Sequence, residues 1–134
     1  MVAAEVFFDT NVLLYLLSAD SAKADTAEAL AANGGVISVQ VLNEFASVGL
    51  RKLAMPLGEV REVLSTIRAV CEVLPIDIET HDLALELVER YQLGMYDALI
   101  VAAALQANCA VLYTEDLQHG QKFGGLSIRN PFAG

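Results

Sequence analysis

Four carboxylates lie in apolar surroundings, each where a strand or helix should begin or end: Asp9, Glu44, Asp97 and Asp116. Asp9 closes the run Val6-Phe7-Phe8, and Asp116 follows Ala110-Val111-Leu112-Tyr113. Glu44 and Asp97 stand near the starts of strongly apolar helical segments. Acidic side chains are seldom buried without a partner, and no Lys or Arg lies close in sequence to any of the four. If they converge, the balancing charge is most simply a divalent cation. Mg²⁺ and Mn²⁺ prefer oxygen ligands, and Mg²⁺ is often held by one or two carboxylates plus waters and substrate phosphate. A bound ion lowers the pKa of its water, and two ions ~3.5–4 Å apart stabilise both the attacking and the leaving oxygen of a displacement. These residue types therefore suit metal-assisted cleavage of a phosphodiester. Without metal the four acids would repel one another and raise each other's pKa.

Taken singly, each acid also has a plainer role. Asp9 is a good helix N-cap, Asp97 a first-turn acid favoured by the helix dipole, Glu44 a solvated helix residue and Asp116 a turn residue. Their joint placement on one edge of the fold is what favours a shared site. Three polar neighbours fit a supporting shell. Asn11, two residues past Asp9, can orient a carboxylate or a water. Ser38 can cap its helix and hydrogen-bond into the site. Thr114, two before Asp116, faces the same side of the sheet if the strand runs that far.

The elements that must position these groups alternate. Val6 to Phe8 reads as a buried strand, followed by helices over Asn11 to Leu17 and Ala22 to Ala32 that Asn33-Gly34-Gly35 stops. Val36-Ile37 is a second strand, and Ser38 begins a helix to about Leu50. Pro56 opens a fourth helix in which Val60, Leu64, Ile67 and Cys71 recur at helical steps. A strand over Val73 to Ile76 leads to a helix from Glu79 to Tyr91 with Leu83, Leu87 and Val88 on one face. Gly94 precedes a helix from Tyr96 to Gln106 that is apolar nearly all round, hence central; Ala110 to Thr114 and Leu126 to Arg129 complete the strands. Such alternation predicts an α/β fold: right-handed β-α-β units, a mainly parallel sheet and helices on both faces. Ligands of such sheets bind outside the carboxyl ends of the strands, where Asp9, Asp116 and the Ser38–Glu44 segment fall.

At 134 residues the chain is expected to form one domain, residues 1–134. It is 55% apolar with a mean hydropathy of +0.49, which points to surface covered by a partner. The apolar run Ala98 to Leu105 is too short to span a membrane, and Glu5 and Asp9 read against a secretory signal. Cys71 and Cys109, the only cysteines, read as reduced core thiols of a cytoplasmic protein. A net charge of −9 opposes a nucleic-acid ligand, although bound cations would cancel part of it, and it favours a basic protein partner as well. His119, in a Gly-flanked loop, and His81 read as surface residues, and Asp77, Glu79 and Asp82 as acids near a helix N-terminus.

Four segments in order carry a resemblance. Phe8-Asp9-Thr10-Asn11-Val12-Leu13, Ile37-Ser38-Val39-Gln40-Val41-Leu42-Asn43-Glu44-Phe45, Tyr96-Asp97-Ala98-Leu99-Ile100-Val101-Ala102-Ala103-Ala104 and Leu112-Tyr113-Thr114-Glu115-Asp116-Leu117 resemble the four motifs of the PIN-domain family. The resemblance implies a three-layer α/β/α sandwich around a parallel sheet. It implies Mg²⁺ or Mn²⁺ held by Asp9, Glu44, Asp97 and Asp116, and metal-dependent endoribonuclease activity. Among PIN proteins a short single-domain chain is most similar to VapC toxins of toxin–antitoxin pairs, which dimerise and are inhibited by a VapB antitoxin. In one departure, Gln118 stands where many relatives carry a further acid. The rival expectation is a catalytically silent PIN-like module that works only through protein contacts, motivated by the −9 charge and by Gln118. A receiver domain fits poorly, because no acid closes the third strand, and a haloacid-dehalogenase-type phosphatase fits poorly because Asn11 stands where its second acid belongs.

Overall fold

A computed structural model describes residues 5–133. The elements in chain order are β1 (Val6–Phe8), α1 (Thr10–Leu14), a 3-10 turn (Tyr15–Leu17), α2 (Ser21–Ala32), β2 (Gly35–Ser38), α3 (Val39–Arg51) and α4 (Leu57–Val70). They continue with β3 (Cys71–Leu74), α5 (Ile78–Tyr91), α6 (Met95–Gln106), β4 (Val111–Tyr113), β5 (Lys122–Phe123) and β6 (Leu126–Arg129). The six strands form one sheet in the order β3-β2-β1-β4-β6-β5, parallel except for the β5–β6 hairpin at its edge. Helices α1 to α4 contact one another as one group, while α5 and α6 pack along each other as a second. The α/β/α expectation holds.

The order of the strands decides where a ligand can sit. From β1 the chain steps outward through β2 to β3, then returns to place β4 on the other side of β1. The β1–β4 boundary is therefore the point at which the winding reverses, and sheets of this kind bind ligands in the crevice beyond the strands' carboxyl ends at such a point. Phe8 pairs with Tyr113 in the register, and the Asp9 N–H donates to the Tyr113 carbonyl at 3.0 Å. The residues that follow both strands are thus locked side by side at the crevice.

The core explains why so many apolar residues are needed. Phe7, Phe8, Val12, Ile37, Phe45 and Leu112 are all buried, and α6 buries Ala98 and the whole run Ile100 to Ala104. That helix lies against β2 as well as α5, so it has no outer face near its middle and its Ala residues admit close approach. Gly35 is required by packing: a Cβ there would lie 2.5 Å from the Phe8 ring.

Several boundaries differ from the expectation. The first helix ends at Leu14 and tightens into the 3-10 turn. Cys71 does not continue α4; it begins β3, pairing with Gly35. The third strand accordingly ends at Leu74, because Pro75 has no N–H to give a ladder. Pro56 caps α4 from outside its first turn. Asp77 caps α5 through a reciprocal bond pair with Thr80, which holds its carboxyl below the ordinary range. Strand β5, two residues long, carries too little pattern to be read from sequence. Both cysteines are buried and free, and burial pushes both thiols up to about 11. Among the described residues no helix is long and apolar enough to cross a membrane.

Candidate metal centre

Asp9 does two jobs at once. As N-cap of α1 its Oδ1 accepts from the Thr10 N–H at 2.7 Å, and its Oδ2 accepts from the Thr114 hydroxyl at 2.8 Å. The Asn11 amide adds a third, longer donor to Oδ2 at 3.5 Å. The capping role and the site role coincide because β1 ends where α1 begins. With Asp9 only 6% exposed, burial pushes its carboxyl up to about 7, and the Asp116 and Glu44 carboxylates push the same way. The Thr114 and Thr10 bonds pull against them.

Asp97, in the first turn of α6, and Asp116, beyond β4, meet Asp9: one carboxylate oxygen from each lies within 4.8 Å of the other two. The Asp97 carboxyl is raised by burial first, then by the charges of Asp116 and Glu44. Three of the four acids singled out from sequence therefore converge. Glu44 stands beside them, outside that triangle of oxygens. Its Oε1 accepts from the Thr10 hydroxyl at 3.1 Å and from the Gln40 amide at 3.2 Å, which holds the carboxylate back while its charge still acts on Asp9 and Asp97.

The supporting residues behave unequally. Thr114, fully buried, donates to Asp9 and also accepts from the Asp116 N–H at 3.0 Å and the Asn11 amide at 3.3 Å. Asn11 in turn accepts from the Glu115 N–H at 3.3 Å, so the loop after β4 is tied to the start of α1. Ser38 departs from its expected role. It occupies the N-cap position of α3, yet its hydroxyl makes no capping bond and has no partner among the described residues. Phe7 pairs with Val36, so Ser38, two residues on, falls beside Asp9 in the sheet and is fully buried there. His119 is exposed, and its Nδ1 accepts from the Asn130 N–H at 3.0 Å, a loop staple remote in role from the acids. Gln40 escaped the sequence reading; only its position one turn before Glu44 could have pointed to it.

The donor set fits a hard divalent cation. In every hydrogen bond of the Asp9 side chain the carboxylate is the acceptor, so its shell is built for the ionised form. Burial and two neighbouring carboxylates oppose that form, and no Lys or Arg is among the groups acting on Asp9 or Asp97. A cation resolves the contradiction. Oxygens held at ~2.1 Å by a common ion lie within ~4.2 Å of one another, and the three carboxylates already bring oxygens within 4.8 Å.

What these observations define is a cluster of three carboxylates, of a kind that could hold a divalent cation, at the switch point of a parallel α/β sheet. The chain belongs to the PIN domain family, which its residues 6–122 match. No curated protein matches it in sequence. Among solved structures it is similar to a toxin–antitoxin complex from Klebsiella pneumoniae, with 24% identity over 96% of this chain and 98% of that one and a TM-score of 0.73. It is similar to a DNA-bound VapBC from Salmonella typhimurium, with 22% identity, coverage of 96% and 99%, and a TM-score of 0.70. Another is the sarcin–ricin-loop-cleaving toxin VapC20 of Mycobacterium tuberculosis, with 22% identity, coverage of 84% and 90%, and a TM-score of 0.68. These likenesses establish the fold.

Proposed function

We propose that the protein is a Mg²⁺- or Mn²⁺-dependent endoribonuclease of the VapC type, a cytoplasmic toxin that forms homodimers and is neutralised by a VapB-like antitoxin. The observation that carries this reading is the buried Asp9, ringed by donors and carboxylates with no balancing cation among the described residues. The PIN family match and the toxin identities of its structural neighbours support the choice of RNA as substrate and of an antitoxin as partner. A silent module would have no use for a shell that selects an ionised Asp9 at a cost to the fold.

Asp9, Asp97 and Asp116 would hold the ion. When bound, it supplies charge to the scissile phosphate and lowers the pKa of a water. The protein's own groups do the remaining work. Thr114 and Thr10 lock the Asp9 rotamer, so its ionised oxygens face the site at no cost in reorganisation. Thr114 also anchors the Asp116 backbone, which couples the positions of two ligands through one hydroxyl. Glu44, with Oε1 fixed by Thr10 and Gln40, has Oε2 left to take a proton from an attacking water. The net charge of −9 makes RNA binding depend on the cation and suits a basic antitoxin segment.

The test is cleavage of RNA by chelator-treated, highly purified protein with Mg²⁺ or Mn²⁺ restored. Cleavage should return with metal and be lost in Asp97→Asn while the far-UV spectrum is unchanged. Cleavage that survives in Asp97→Asn, or that ignores chelation, refutes the proposal.

A further inference from the structure

Beside the acidic centre lies an open groove of about 610 Å³ of whose lining the proposed chemistry uses Glu44 alone. Val39, Pro75, Ile76 and Leu99 give it an apolar floor, and the Asn43 and Gln40 amides stand on one wall with Glu44. Tyr96 completes it, 71% exposed, the most exposed of the large hydrophobic side chains described. Two connections join the groove to the site. Glu44 belongs to both, and Tyr96 immediately precedes Asp97, with its carbonyl accepting from the Gln40 amide at 3.3 Å.

The groove's chemistry specifies its occupant. No Lys or Arg lines it and a carboxylate does, so a phosphate is repelled. A flat, uncharged group with hydrogen-bonding edges is suited: an aromatic face to stack on, aliphatic contacts beneath and an amide at its rim. Single-stranded RNA is recognised in this way, by bases splayed onto aromatic side chains and read by amides. The volume lies within the range of small-ligand sites.

We infer that this groove is a nucleobase subsite, in which Tyr96 stacks on a base flanking the scissile phosphate and Asn43 contacts its edge. The inference rests on the ribonuclease reading: the phosphodiester goes to the carboxylates, and the adjacent base, one nucleotide away along the strand, goes to the uncharged groove. It assigns Tyr96 and Asn43 to substrate choice and leaves the chemistry to the acids.

The test is a cycle of protein and substrate changes. An oligoribonucleotide cleaved by the wild type is prepared with a single abasic residue at each of the three positions on either side of the cut. Stacking on one base is worth enough for about tenfold or more in kcat/KM. Tyr96→Ala should lower kcat/KM on intact RNA by about that factor, and one abasic substrate should lose as much with the wild type. With Tyr96→Ala that same abasic substrate should show no further loss, and Tyr96→Phe should keep wild-type behaviour. Losses that multiply at every position overturn the subsite, as does full activity in Tyr96→Ala or in Tyr96→Leu; the last two outcomes would give the groove to a protein segment instead. Failure of the wild type to cleave any RNA would strike the ribonuclease reading itself, so the two failures are distinct.

Discussion

Asp9→Asn should make the metal-free protein more stable at alkaline pH, although it removes a ligand from the centre. The folded carboxyl sits at about 7 against an ordinary 3.8, so between those values the folded chain binds more protons than the unfolded one. Stability therefore falls as pH rises across that window. The penalty is absent below about 3.8, accumulates up to about 7 and is complete above it. About three pH units at ~1.36 kcal/mol each give a cost of roughly 4 kcal/mol at pH 8. Asparagine carries no charge to desolvate, but its amide N–H meets the Thr114 hydroxyl, which already accepts from Asn11 and Asp116; that mismatch costs about 1 kcal/mol. The net gain is about 3 kcal/mol, or roughly 11 °C in Tm for a domain of this size. At pH 5 the penalty is only about 2 kcal/mol and the difference nearly closes. The assay is thermal unfolding by circular dichroism in EDTA at pH 5 and pH 8. An Asp9→Asn protein no more stable than wild type at pH 8, or a difference that does not change with pH, would refute the account of the site.

Saturating Mg²⁺ or Mn²⁺ should raise the wild-type Tm and EDTA should reverse it; at one hundred times Kd the gain is about 2.7 kcal/mol, and Asp9→Asn should lose most of it, whereas an equal shift in both proteins would place the ion elsewhere. Thr114→Val keeps the shape but strands the Asp116 N–H and removes the donor to Asp9, so calorimetric titration should show metal affinity down by about 10- to 100-fold. Gly35→Ala should lower the unfolding free energy by about 1–3 kcal/mol in urea, because its Cβ would strike the Phe8 ring; a neutral effect would show that the β1–β2 contact is looser than described.

How much was legible in the sequence follows from the range of each interaction. Strand and helix identities along β1, β2, α3, α5, α6 and β4 arise from local periodicity and capping, so a single chain displays them. The same holds for Asp9 at the end of β1 and Asp97 in the first turn of α6. Where the signals were short or shared, the boundaries slipped. Cys71 fits the apolar step of α4, yet pairing with Gly35 claims it for β3, and β5 finds its strand partner only in β6 across the hairpin.

The types and order of the acids belong to the sequence alone, together with the alternation that sends them to one edge of a parallel sheet. The tertiary structure decided which of them share a centre. Phe8 opposite Tyr113 and Phe7 opposite Val36 set Thr114 and Ser38 on either side of Asp9, and only the first of these finds it. Glu44 is drawn aside by Thr10 and by Gln40, whose amide also holds the start of α6. Apart from the Gln40–Glu44 bond, those outcomes depend on contacts between residues 29 to 105 positions apart, and chain-local pattern carries no information about distances of that kind.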